Sequence, residues 1–373
     1  MKAVTAPLPS DGRLNRVMEY IYFLRRRRYK ERVYRHWSSF LGLTDEECQE
    51  KLHLSSGVVL EICWLVADDV ANPSGPSALP VAVKVTAALA FFANGSFQNT
   101  LGLVTGVSQS AVSCAIHVVS SSLVRHAADY IVFPTSPESQ FRTKQDFMSK
   151  YGLPGVLGAI DCTHVQMRAP STEPLSYVNR LGVYSINIQV VCDANCLMTH
   201  VYANFPGSSH DSFILANSVI PTVFQRGSLD GWLIGDDGYP LKPWLLTPYV
   251  TPTTRKQHVF NSVLSRTRSV IEQTFGMLKM RFRCLDRSGG TLQYSPKNVS
   301  AFFVACCVLH NIATRHGCHF DLTEEALQEL RRREAELHEP YEETGEQLTE
   351  AWEGRDNLAA QLVLQLNETP QED

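Results

Sequence analysis

The spacing of apolar positions changes near residue 135. Before it the period is helical. Leu14, Val17, Ile21 and Leu24 recur at three- and four-residue steps and predict a helix over residues 13–37. Residues 84–123 divide into three short helical pieces: one over 84–93, one carrying Phe97, Leu101 and Val104, and one over 108–123. Ser108 is placed to cap the third, whose stripe is Val112, Ile116, Val119 and Leu123. The turn Thr105-Gly106-Val107 completes a helix-turn-helix-like pattern, the geometry of a DNA reader. The third piece offers Gln109, Ser110, Ser113 and His117 outward, with no cation before Arg125, so ordinary helix packing stays equally open.

From 135 to about 316 strands alternate with helices. Residues 156–165 form an apolar run bounded by Pro154-Gly155, which reads as a buried strand with Asp161 inside it. A carboxylate among apolar residues is costly without a partner, whether a metal ion or a structural hydrogen bond. Two alternating stretches, 184–192 and 196–205, flank Asp193-Ala194-Asn195 and predict a hairpin. The second leads through Pro206-Gly207-Ser208-Ser209-His210 to Asp211 and a helix over 212–219. A short strand, 232–235, ends at Asp236. A long helix over 261–282 follows, capped by Asn261, with Glu272 one position off its apolar stripe. Taken singly, Asp211 reads as a helix N-cap and Glu272 as a solvated rim residue. Taken together, the order is strand with Asp, hairpin, helix, strand ending in Asp, helix with Glu. That order predicts an α/β protein: an RNase H-like mixed sheet with flanking helices, preceded by an all-helical N-terminal region. Thirty-five residues separate Asp236 from Glu272, the spacing of a recurrent integrase and transposase motif.

Composition adds class and partner. With 44% hydrophobic and 19% charged residues, the 373-residue chain reads as soluble and globular. Its opening residues hold no apolar run of the secretory kind, and its longest apolar stretches are too short for a bilayer, so no membrane role is expected. A place in the nucleus and cytoplasm is expected instead. The ten cysteines lie mostly in apolar segments and include no CxxC pair, which argues for reduced thiols. A zinc site from His310, His316, Cys318 and His319 fits no finger spacing. The net charge of −4 conceals a basic body and an acidic tail: 30 basic against 22 acidic side chains over residues 1–320, and 4 against 16 beyond. A basic body suits a polyanion. The run Arg25-Arg26-Arg27-Arg28 reads as a nuclear-import signal or phosphate patch, with a solvated helix face as the alternative. The organisation expected is a disordered start (1–12), a helical region (13–134), an RNase H-like domain (135–316) and an acidic tail (317–373). The tail is read as one helix capped by Thr323, followed by disordered chain.

Several stretches carry a family resemblance: Gly158-Ala159-Ile160-Asp161-Cys162-Thr163-His164-Val165, Tyr184-Ser185-Ile186-Asn187-Ile188-Gln189, Pro206-Gly207-Ser208-Ser209-His210-Asp211, Gly235-Asp236-Asp237-Gly238-Tyr239, residues 271–279, Arg281-Phe282-Arg283-Cys284-Leu285 and Leu309-His310-Asn311-Ile312. Through them the chain, up to about residue 316, resembles the Harbinger (PIF-type) transposases and the nucleases derived from them. The resemblance implies catalytic carboxylates at Asp161, Asp236 and Glu272, with Asp211 a further metal ligand. Asp161 would bridge two metal ions, and Asp236 and Glu272 would each complete one. Oxygen donors of this kind select Mg²⁺ or Mn²⁺. The implied reaction is two-metal hydrolysis of DNA phosphodiester bonds without full transposition. Arg268, Lys279 and Arg283 are expected backbone contacts to DNA, and His164 and His210 adjoin the site. A separate Myb-like DNA-binding partner is also implied. The sequence assigns no oligomeric state, and it leaves open a catalytically idle DNA-binding or chromatin adaptor that keeps the transposase fold.

Overall fold

The strand at 156–166 lies in the middle of the sheet, and its first five residues, Val156 to Ile160, are apolar and buried, so they need cover on both faces. The computed structural model describes residues 44–71, 79–95, 107–318, 323–341 and 349–368. The disordered start expected over 1–12, the helix expected over 13–37 with its arginine run, the middle piece of the helix-turn-helix-like segment with Thr105-Gly106 of its turn, and His319 lie outside them. The described residues all fall within one compact unit, Leu43–Asp373.

Among the described residues, six helices come ahead of the sheet: α1 (Asp45–Leu52), α2 (Ser56–Val70), α3 (Val81–Asn94), α4 (Gln109–Arg125), α5 (Ala127–Tyr130) and α6 (Pro137–Tyr151). Ser108 caps α4 by accepting from Ala111 N, and the expected stripe of Val112, Ile116, Val119 and Leu123 is fully buried. His117 faces inward and meets the rings of Tyr294 and Phe302. Lys84 is also buried, with Nζ donating to Val70 O at 2.7 Å.

The five strands are β1 (Val156–Gln166), β2 (Ser185–Cys192), β3 (Met198–Pro206), β4 (Trp232–Ile234) and β5 (Leu245–Leu246), in spatial order β3-β2-β1-β4-β5. β1 pairs antiparallel with β2, and β2 with β3; β4 and β5 run parallel to β1. This mixed sheet, with helices on its faces and a helical N-terminal part, is the RNase H-like arrangement expected from the sequence. α7 (Asp211–Ala216) and α8 (Ile220–Gln225) bring Ile214, Leu215, Ile220 and Phe224 into one cluster with Leu157, Ile160, Val191 and Leu233.

Two long helices complete the cover: α9 (Arg255–Arg281) and α10 (Pro296–Arg315). α9 begins six residues before the start read from the sequence. Its cap is Thr254, in a reciprocal capping box with Gln257. Asn261 instead pairs its amide with both the N–H and the carbonyl of Tyr249, each at 2.9 Å. On α10, His310 Nε2 donates to Cys196 O at 2.9 Å, and Asn311 brackets Met198 by accepting from its N–H and donating to its carbonyl. The Leu309-His310-Asn311-Ile312 motif thus fastens the β2–β3 hairpin to α10. His316 pairs with Glu61 and Cys318 Sγ donates to Ser55 Oγ, so among the described residues no zinc cluster forms from this set.

Beyond the nuclease-like part, α11 (Glu324–Ala335) is capped by Thr323 as expected. Residues 349–368 differ from the disordered chain read from composition: they form α12 (Thr349–Glu368), which packs on α9. Ala351, Leu358, Ala359 and Leu362 recur at helical spacing and are buried, while Arg355 lies over the Tyr249 ring at 3.9 Å and Tyr249 OH donates to Asp356. Acidic composition concealed this apolar stripe.

Candidate active site

Strand register brings the carboxylates together. Ala159 on β1 is level with Ile234 on β4, so Asp161 and Asp236, each two residues further on, come side by side, Asp161 in the middle of β1 and Asp236 just past the end of the parallel strand β4. β3 leaves the sheet at Pro206, opposite Ile186, and five residues later Asp211 opens α7 at the same end. Gly207 in this loop has no room for a Cβ, which would strike Ser185 and the carbonyl of Tyr177. The cap of α7 is His210, whose Nδ1 accepts from Ser212 N at 3.2 Å. That leaves Asp211 free to turn inward, where Asn187 Nδ2 donates to its Oδ1 at 3.0 Å. Carboxylate oxygens of Asp161, Asp211 and Asp236 all lie within 4.8 Å of one another.

α9 supplies the facing wall. Arg268, Glu272, Phe275 and Lys279 are spaced to share one side of a helix, and the first three line the same cavity of about 270 Å³ as the carboxylates. Arg268 is not a surface cation. Its Nη2 donates to Asp161 Oδ2 at 3.0 Å and lies 3.8 Å from Asp236 Oδ2. Glu272 stands apart from the three clustered aspartates and pairs with Arg331 of α11 at 2.6 Å. Lys279 is buried against Glu334 of α11 at 2.6 Å, while Arg283, just past α9, is exposed.

Burial and mutual repulsion govern the charges. Desolvation, then the neighbouring charge of Asp236, holds the Asp161 carboxyl well above its ordinary range despite Arg268. Asp211 is pushed up to about 6, first by burial and then by Asp236. Burial also opposes ionisation of Asp236, but the hydrogen bond from His338, the charge of Arg268 and the Gly238 N–H outweigh it, and its carboxyl sits below the usual value. His338 is correspondingly raised to about 9, chiefly by its hydrogen bond with Asp236. Burial lowers His164 to about 4, leaving a neutral imidazole that shares a hydrogen bond with Ser185 Oγ at 3.0 Å.

The donor set fits a hard cation. Asp161, Asp211, Asp236, Asp237, Glu272 and Glu334 line the cavity against Arg268, Arg331 and His338, an excess of carboxylate in a partly desolvated space. The donors that cluster are oxygens, apart from His338 beside Asp236 and Asp237.

Sequence reasoning missed three members of the site. Asn187 was visible as a polar residue in an apolar strand and is now seen to orient Asp211. Arg331 and His338 come from the tail and carried no local signal. Their placement depends on how that tail crosses the molecule.

A mixed sheet that collects aspartates from β1, the end of β4 and the start of α7, opposite a glutamate on a long helix, defines a class of protein: the DDE nucleases. In agreement, residues 160–311 match the DDE superfamily endonuclease family. The chain is 40% identical over 277 residues to "Putative nuclease HARBI1" of Homo sapiens, covering 74% of this chain and 79% of that one. It is 39% identical over 254 residues to the protein of the same name in Xenopus laevis, covering 68% and 73%. To "Protein ALP1-like" of Arabidopsis thaliana it is 31% identical over 296 residues, covering 73% and 71%. The chain belongs to the Harbinger transposase-derived nuclease family. No solved structure matches it.

Proposed function

We propose that the chain hydrolyses DNA phosphodiester bonds with Mg²⁺ or Mn²⁺ held by Asp161, Asp211 and Asp236, and by Glu272 from the facing helix. The observation that carries this reading is the approach of three aspartate oxygens to within 4.8 Å in a cavity with excess negative charge. Two such cations would supply Lewis-acid chemistry to the scissile phosphate. The protein's own groups supply position. Asp161 is the central ligand, steadied by the Cys162 N–H at 2.8 Å and by Arg268, and Asp236 is oriented by the Gly238 N–H at 3.0 Å. Asn187 holds Asp211. Buried Arg268 offsets part of the carboxylate charge and has an oxygen-rich cavity before it; Lys279 and Arg283 are proposed to meet the DNA backbone.

DNA recognition is proposed to draw on a Myb-like partner. The exposed face of α4 presents Gln109, Ser110, Cys114 and Ser121 before its first cation, Arg125, which is poor in the charge a phosphate interface uses. Among the described residues no helix is long and apolar enough to cross a membrane. A nuclear and cytoplasmic location, and cleavage without full transposition, belong to the same proposal.

Nicking of supercoiled DNA tests it. Wild type with Mg²⁺ or Mn²⁺ is expected to nick, and EDTA or Asp236→Asn to reduce nicking by at least about a hundredfold. Equal activity of wild type and variant would overturn the assignment. Absence of nicking in wild type with both metals would leave the catalytically idle adaptor as the better reading.

A further inference from the structure

The geometry points to a strap: residues 323–341 occupy the DNA cleft in place of substrate, and must lift for a strand to enter. This rests on the nuclease reading and adds its regulation. α11 and the six residues after it present two kinds of group to the site, each matched to what lies beneath. Their cations face the acids. Arg331 pairs with Glu272 at 2.6 Å, and His338 lies 3.2 Å from Asp236 and 2.7 Å from Asp237. Their oxygens face the donors. Glu334 accepts from Lys279 and Thr163, the His338 carbonyl accepts from Arg180, and the Glu339 carbonyl lies 3.1 Å from His210 Nε2. Tyr341 N then donates to Asp237 O at 2.7 Å.

Lys279, Arg180 and His210 surround the carboxylates and are the polar donors a sugar–phosphate backbone would meet. The strap therefore carries carboxylate and carbonyl oxygens where phosphate oxygens would lie, and positive charge where cations would bind. Strap and substrate compete for the same partners, so apparent DNA affinity is divided by the open fraction. The strap is built to leave. On α11 Leu327 is the one buried side chain, and of the two pairs its own members stay in touch with solvent, Arg331 at 37% and Glu334 at 26% exposure.

The test uses full-length protein and a fluorescent DNA duplex in EDTA, read by anisotropy, so that it does not depend on catalysis. Arg331→Glu with Glu334→Lys reverses both pairs and leaves net charge unchanged. The swap is expected to tighten DNA binding about tenfold or more and, with Mn²⁺, to raise nicking. Unchanged or weaker binding would overturn the strap. Tighter binding with no nicking by either protein would keep the strap and remove the nuclease reading; nicking by wild type with equal DNA affinities would do the reverse. Wild type alone supplies a second readout that does not rely on the variant folding. Saturating DNA should speed trypsin cleavage after Arg331, Arg332 and Arg333, and continued protection with DNA bound would overturn the proposal.

Discussion

His310 is one of the side chains whose burial has a measurable consequence away from the carboxylates. Burial, followed by the charge of Arg281, lowers it to about 3, and its Nε2 proton is committed to Cys196 O. The folded value lies below the unfolded one near 6.5. Neutral His310 therefore contributes stability that is complete above that pH and is lost as pH falls toward 3. His310→Gln should flatten the acid limb, removing a slope of up to about 1.4 kcal/mol per pH unit between pH 6 and 4. Urea unfolding across that range measures it, and an unchanged slope would contradict the assignment. His200, lowered to about 4 by burial, contributes to the limb in both proteins and cancels in the difference. The same physics acts in the opposite sense at Asp161 and Asp211, where burial raises the carboxyls and their ionisation calls for a cation.

At the scale of elements, α12 is held by a narrow apolar stripe and by Tyr249. Leu358 is 4% exposed within it. Leu358→Ala should cost about 2–5 kcal/mol of docking free energy. Hydrogen exchange should then show residues 351–364 losing protection while β1 keeps its own; equal protection in wild type and variant would show that α12 does not depend on this contact. The element scale also divides what was legible in the sequence from what was not. β1, the hairpin and β4 could be read because their apolar runs and turn residues are local signals. Asp161, Asp211 and Asp236 could be read because each ends or interrupts such a run. The start of α9 could not be read correctly, because Asn261 resembles a cap and its commitment to Tyr249 is a tertiary contact. The pairing of Arg268, expected from the sequence to contact DNA, was hidden for a similar reason: helical spacing places it beside Glu272 but does not reveal that Asp161 lies across from it.

For the whole molecule, the charge asymmetry read from the sequence has a structural counterpart. The acidic C-terminal part returns over the body, pairing Glu334 with Lys279 while lending Arg331 and His338 to the carboxylates. Calorimetric titration of Mn²⁺ into metal-free wild type and Asp161→Asn shows whether the acids beneath this cover form a cation site. Wild type should bind saturably, and the variant should lose that binding. Equal binding by the two proteins, or none by wild type, would contradict such a site.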